Sequence, residues 1–295
     1  MFYKFFNLNN HKKIPIIGFG TSHVNTNESG QKIIIEAIKQ GYLLIDTAEL
    51  YKTQTVVGKA VNQCIKDGIV KRDDIFIQTK VWNSNQGYDN TIRAFNKSLN
   101  ELNLDYVDLY LIHWAIPNGH LNDYKQLNID TWRAMEDLYK QGKIKSLGLS
   151  NFNCEQIDNI LHNCKIKPSV LQIEMHPGCY DDQLINYCKK HNIRLQSWGP
   201  IIHGRANDEE ALQIIANKHH ATPSQICLSW SLFKGSIPLP RTMNKDHLIE
   251  NYNAIYVHLN QDDVDYIDSK IKNNRYGSDP SLPYPISDEE MNKRY

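Results

Sequence analysis

Eight short apolar runs, separated by longer amphipathic stretches, constrain this chain more than any other feature. The runs cover 14–19, 43–47, 75–81, 107–114, 144–150, 170–176, 194–198 and 236–240. Most are rich in Val, Ile and Leu with little alternation, the pattern of parallel strands covered on both faces. The stretches between them have helical spacing. Residues 28–40 set Ile33, Ile34, Ala37 and Ile38 on one side, and residues 53–66 do the same with Val56, Val57, Ala60, Val61 and Ile65. Residues 129–141, 154–163, 181–191 and 208–220 follow the same form. Gly41 and Gly142 stand where helices end before strands, positions that favour a left-handed residue. Thr222-Pro223 opens one further helix, with proline in its first turn.

Strands alternating with helices argue for βαβ units. In a doubly wound dinucleotide-binding sheet a GxGxxG turn follows the first strand, and this sequence has none. Eight βα units in 295 residues predict an α/β fold, a (β/α)8 TIM barrel built as one domain over residues 1–295. Residues 2–13 carry aromatics around Asn9-Asn10 and read as an N-terminal β-hairpin plugging the bottom of the barrel. The tail from Arg275 is rich in Pro, Ser and Asp and reads as a loop across one face.

Composition narrows the partners. Lys plus Arg equals Asp plus Glu at 33 each, so no broad field is expected for nucleic acid or an anionic membrane. No apolar run is long enough for a signal peptide or a membrane span. The six cysteines lack a CxxC pair or a zinc spacing. They suit reduced thiols in a cytoplasmic protein, with no metal expected.

In a barrel, chemistry gathers at the C-terminal ends of the strands. Asp46 ends the second run, with Tyr51 just beyond; Lys80 and Trp82 end the third; His113 and Trp114 end the fourth. Ser150 and Asn151 end the fifth, the sixth contributes Gln172, Glu174 and His176, and Trp198 ends the seventh before Gly199-Pro200. Taken singly, Asp46 could cap a turn, Tyr51 could start a helix, His113 could be a satisfied half-buried histidine and Trp198 could be core. Lys80 is harder to set aside, because an unpaired ammonium is costly in an apolar strand. Together the four form a proton-transfer assembly. Asp46 pairs with Lys80, the Lys80 cation favours the Tyr51 phenolate, and His113 polarises a carbonyl oxygen.

Gly18-Phe19-Gly20-Thr21, Ile45-Asp46-Thr47-Ala48 through Tyr51, Val57-Gly58, Thr79-Lys80-Val81-Trp82, Leu111-Ile112-His113-Trp114 and Ser150-Asn151-Phe152 resemble the aldo-keto reductase family, in order and with its spacing, over residues 14–285. The Ser-Trp-Gly-Pro at 197–200 is similar to its bacterial diketogluconate-reductase branch. The resemblance implies a barrel that binds NADPH without a Rossmann domain and passes hydride to an aldehyde or ketone. It makes Tyr51 the general acid, Lys80 and Asp46 the residues that tune it, and His113 the one that orients the carbonyl. It assigns Ser150, Asn151 and Gln172 to the carboxamide, Trp198 to stacking on the nicotinamide, and Gly199, Pro200 and Ile201 to the pyrophosphate, with Gly20, Thr21 and Asp46 also at the cofactor. Ser22, Tyr51, Trp82, His113 and Trp114 would form the substrate wall, with the tail closing over it.

The chain departs from the family at two places. The adenosine 2′-phosphate motif reads Leu239-Pro240-Arg241-Thr242, then His247, then Glu250-Asn251, where the family has lysine, serine and arginine in place of Arg241, Thr242 and His247. Arg241 keeps a fixed fork for phosphate. His247 is mostly neutral at pH 7 unless phosphate raises its pKa. The expectation is NADPH with weakened discrimination against NADH. Ser22 stands where the family often has an aromatic. The partner expected is a small carbonyl compound, and the oligomeric state expected is a monomer or weak homodimer. Two alternatives compete with catalysis of this kind: a non-catalytic, cofactor-binding regulatory barrel, and a Schiff-base lyase acting through Lys80.

Overall fold

The computed structural model describes residues 4–272 and 275–286. The expected hairpin residues Phe2 and Tyr3, the end of the expected tail and both ends of the expected 1–295 domain fall outside this set. Ten strands and ten α-helices are present among the described residues. Strands β1 (Phe5–Asn7) and β2 (Lys13–Pro15) form an antiparallel hairpin, with Phe6 opposite Ile14. Strands β3 (Phe19–Gly20), β4 (Leu44–Asp46), β5 (Phe76–Val81), β6 (Leu109–Ile112), β7 (Leu147–Ser150), β8 (Val170–Glu174), β9 (Arg194–Trp198) and β10 (Ser236–Pro238) form one parallel sheet in sequence order. The Gly18 and Gly20 amides donate to the carbonyls of Pro238 and Pro240, each at 3.0 Å, and join the first barrel strand to the last. This is the expected (β/α)8 barrel.

The first apolar run is divided. Residues 13–15 belong to the hairpin, and the barrel strand is only Phe19–Gly20. Apolar content alone could not show this break, because Ile14 and Phe19 are both buried, one under the barrel and one in its wall.

Helices α1 (Glu28–Gln40), α2 (Gln54–Lys66), α4 (Tyr124–Lys140), α5 (Cys154–Asn163), α6 (Asp182–Lys190), α7 (Glu210–His219) and α8 (Pro223–Phe233) lie where the spacing places them. Gly41 and Gly142 end helices at φ 114° and 74°. Thr222 caps α8, accepting from the Gln225 amide while the Gln225 side chain accepts from the Thr222 amide. Three helices were not delimited from sequence: α3 (Tyr88–Leu102), α9 (Lys245–Asn253) and α10 (Gln261–Lys270). The polar residues of α9 and α10 outweigh a thin apolar stripe, whereas α3 carries a clear one, burying Ala94, Phe95, Leu99 and Leu102 at helical spacing.

Inside the barrel the strands do alternate. Leu44, Phe76, Leu109, Leu111, Val170, Ile237 and Leu239 form an apolar cluster, closed from below by Leu8 and Ile14 of the hairpin. One step higher on β4, β5, β8 and β9, two residues on along Leu44, Phe76 and Val170, come Asp46, Gln78, Gln172 and Gln196. Their amides bond across the interior between strands that are not neighbours: Gln78 Nε2 to Gln196 Oε1 at 3.0 Å, and Gln196 Nε2 to Gln78 Oε1 at 2.8 Å. Two residues further again stand Lys80, Glu174 and Trp198. The barrel therefore turns from apolar to polar toward the C-terminal ends of its strands.

Candidate active site

Lys80 is fully buried near the end of β5. Its ammonium donates to Asp46 Oδ1 at 2.6 Å, to the Thr47 carbonyl at 3.0 Å and to the Tyr51 hydroxyl at 3.1 Å. Burial pulls the Lys80 pKa below its usual range, and the Asp46 carboxylate opposes that pull. Asp46 Oδ1 also accepts from Gln78 at 2.6 Å and Gln172 at 3.1 Å. The carboxylate that holds Lys80 is thus itself held by the amide layer below. Gln78 and Gln196 were not singled out from sequence. The available signal was polar side chains two residues before Lys80 and Trp198, on the inward face of their strands.

Tyr51 lies on a short 3-10 turn, Glu49–Tyr51, just past β4. Its ring meets His113 edge-on at 5.6 Å between centroids, and His113 meets Trp82 at 5.2 Å. Burial, aided by the Lys80 charge, holds His113 far below the ordinary histidine range, so the imidazole is neutral. Its Nδ1 is buried and meets no hydrogen-bonding group among the described residues.

A cavity of about 520 Å³ opens at this end of the barrel. Asp46, Tyr51 and His113 line it, together with Gly20, Ser22, Trp114, Ser150, Asn151, Gln172, Trp198, Gly199, Pro200, Ile201 and Arg241. A larger recess of about 790 Å³ lies beside the hairpin at the other end and contains none of the expected site residues. Asn151 adopts φ 57°, tolerable for asparagine, and ties three strand ends together. It donates to the His113 carbonyl at 3.0 Å and to Ser150 Oγ at 3.0 Å, and accepts from Trp198 Nε1 at 2.8 Å.

Other expected residues stand back from the cavity. Thr21 is buried and donates to the Asp46 carbonyl at 2.8 Å. Trp82 joins Leu50 and Trp114 in an aromatic cluster beside Tyr51. Thr242 Oγ1 accepts from the Asn244 amide at 3.0 Å, and the His247 amide donates to Asn244 Oδ1 at 3.3 Å, so both frame the start of α9. Glu250 accepts from Thr222 Oγ1 at 2.7 Å, and Asn251 is buried. Sequence reasoning missed His23, Leu50, His203 and Tyr284, which also line the cavity, while Tyr276 and Gly277 line it as part of the expected closing tail. Tyr284 meets Trp82 at 5.3 Å and Trp114 at 4.8 Å, so the tail completes the aromatic wall as its expected position over the face requires.

The cavity suits a dinucleotide. Its lining includes the amide and hydroxyl groups of buried Ser150, Asn151 and Gln172 and the exposed Arg241. A Cβ on Gly20 would come within 3.1 Å of the Leu239 carbonyl oxygen, and Gly199 holds φ 62°. Both positions are held to glycine by close packing or a left-handed backbone at the cavity edge.

The sequence pattern of the Aldo/keto reductase family matches residues 16–272. The chain is 41% identical over 273 residues to glyoxal reductase of Bacillus subtilis, covering 92% of this chain and 95% of that protein. It is 37% identical over 294 residues to the NAD(P)H-dependent D-xylose reductase I,II of Candida tropicalis, covering 88% and 90%. A Bombyx mori aldo-keto reductase solved in complex with NADP superposes with a TM-score of 0.85 at 31% identity, covering 93% of this chain and 95% of that one. Fold, catalytic geometry and similarity agree: this chain belongs to the aldo/keto reductase family and is an oxidoreductase.

Proposed function

We propose that this protein reduces small aldehydes, ketones, keto-sugars and above all compact dicarbonyls to alcohols with NADPH, using Tyr51 as the general acid. The observation that carries the reading is the Tyr51 hydroxyl, 3.1 Å from the Lys80 ammonium and edge-on to a neutral His113 at the cavity wall. When bound, the reduced nicotinamide supplies hydride to the carbonyl carbon. His113 orients the carbonyl oxygen, and its neutral form leaves the proton donation to Tyr51. Lys80 stabilises the phenolate left behind, and Asp46 keeps Lys80 in place. Trp82, Trp114 and Tyr284 narrow the substrate side, which favours short substrates such as the glyoxal of the Bacillus relative's name. Arg241, exposed beside the cavity, supplies a fixed charge for a 2′-phosphate, and the arginine the family has at position 247 is absent, so NADH is accepted as a weaker alternative. The surroundings of Lys80 speak against a Schiff-base lyase: its nitrogen is buried and held by three oxygens.

Absorbance of NADPH with glyoxal or phenylglyoxal tests the reading. Turnover should fall by about 10²–10⁴ in Tyr51→Phe while NADPH still binds. A binding barrel would show no turnover in either protein across a carbonyl panel. For the cofactor, Arg241→Ala should lower the NADPH-to-NADH affinity ratio about tenfold, the loss of one charge-assisted contact. An unchanged ratio removes Arg241 from the phosphate site.

A further inference from the structure

Glu174 closes β8 and takes no part in the proton-transfer assembly, yet its side chain is fully buried. Such a carboxylate must be matched by donors. Oε1 accepts from the backbone N–H of Tyr276 at 2.8 Å, and Oε2 from that of Gly277 at 2.9 Å. The Nε2 atoms of His176 and His203 stand 3.3 Å and 3.4 Å from Oε1, and Arg275 Nη1 stands 3.7 Å from Oε2. Burial would push the carboxyl pKa up; the two histidines and two amides reverse this and hold it far below the usual range. His176, Glu174 and Cys179 are close enough to suggest a metal cage, their ligand atoms within 4.8 Å of one another. A tetrahedral site holds its ligands about 2.0–2.3 Å from the metal, and here the carboxylate already faces a full set of donors.

Those donors come from three parts of the chain. Glu174 itself pairs with Trp198 in the sheet register. His203 lies on the loop after β9, where Ile202 and His203 hold φ 52° and 53°, a costly conformation for a β-branched residue that its surroundings must enforce. The His203 ring packs against Trp198 at 5.8 Å and Tyr276 at 5.2 Å. Gly277 rests directly on the indole: a Cβ there would lie 2.3 Å from Trp198 Cη2 and 2.9 Å from Glu174 Oε2. Trp198, His203 and Gly277 all line the cavity.

We propose that Glu174 is a positioning residue for cofactor retention: it pins residues 275–277 and the His203 loop together against Trp198, forming one wall of the cofactor groove. The inference rests on the reading of that groove as a nicotinamide dinucleotide site. A looser wall holds the cofactor less firmly, so loosening the anchor speeds release while Tyr51, Lys80 and His113 keep their contacts. Glu174→Gln keeps the shape and removes the charge that two amides and two histidines share. Gly277→Ala disturbs the same contact from the tail side.

The test is NADPH binding followed by quenching of tryptophan fluorescence, with release measured by stopped-flow displacement. Glu174→Gln and Gly277→Ala should each raise the release rate about tenfold, as expected for losing a charge-assisted bond. The double variant should be little worse than either single one, because both break one contact. For Glu174→Gln, turnover under single-turnover conditions with saturating NADPH should stay within about twofold of the parent, since this change touches none of the reacting groups. A folded Glu174→Gln protein with an unchanged release rate overturns the proposal, as does a simple product of the two single effects. If the parent protein does not bind NADPH at all, the reading of the groove fails instead.

Discussion

At the scale of the residue, the site is governed by which charges are permitted inside the barrel. Lys80 keeps its place because Asp46 lies 2.6 Å away and the amides of Gln78 and Gln172 complete the carboxylate. His113 receives no such support: burial and the Lys80 charge both disfavour its imidazolium. The consequence for stability has a definite sign. The unfolded histidine takes up a proton below its usual value of 6.5, the folded one does not, and so acid favours unfolding. Between the folded pKa and pH 6.5 the wild type should lose up to about 1.4 kcal/mol per pH unit through this residue. Urea unfolding at pH 7.5 and pH 5.5 should show a steeper acid loss for wild type than for His113→Gln. Equal losses would mean that His113 protonates in the fold. The identity of Asp46, Tyr51, Lys80 and His113 was legible because each stands at a strand end. The Gln78–Gln196 pair beneath them was not, because its bonds join positions 118 apart in sequence.

At the scale of the element, helical spacing located seven of the ten described helices; α9 and α10 have a weak stripe, while the stripe of α3 is clear. One glycine shows how elements meet. Gly58, in the middle of α2, faces the C-terminal end of α3: a Cβ there would lie 2.2 Å from the Leu102 carbonyl oxygen. Alanine is favoured over glycine in a helix by about 1 kcal/mol. A clash with backbone cannot be relieved by rotating a side chain, and overpacking costs about 1–3 kcal/mol. Gly58→Ala should therefore lower stability by up to about 2 kcal/mol in a denaturant titration, the net of those two effects. A gain would show that α3 shifts freely away from α2. The Val57-Gly58 motif could be read in the sequence, while its reason, a close helix approach, appears only in three dimensions.

For the whole molecule, the barrel separates stability at one end from chemistry at the other. Ile14 and Leu8 of the hairpin seal the apolar layer, far in the strand direction from Tyr51. Ile14→Ala should cost about 2–5 kcal/mol of stability, as large-to-small changes at buried sites do. Its NADPH affinity should equal that of the parent while the protein stays folded; a changed affinity would show that the two ends are coupled. Apolar runs and helical stripes determined the alternating architecture, because burial on both strand faces leaves its mark in composition alone. Positions at or just beyond strand ends likewise pointed to Asp46, Tyr51, Lys80 and His113, the four proposed to carry the chemistry. Only the tertiary structure divided the first run between hairpin and barrel, and only it set the contacts of the tail, Tyr276 and Gly277 with Glu174 and Tyr284 with Trp82 and Trp114. Those contacts join residues about a hundred or more positions apart, such as Glu174 with Tyr276. No local period records them, so they follow from closure of the barrel and the path of the tail across it.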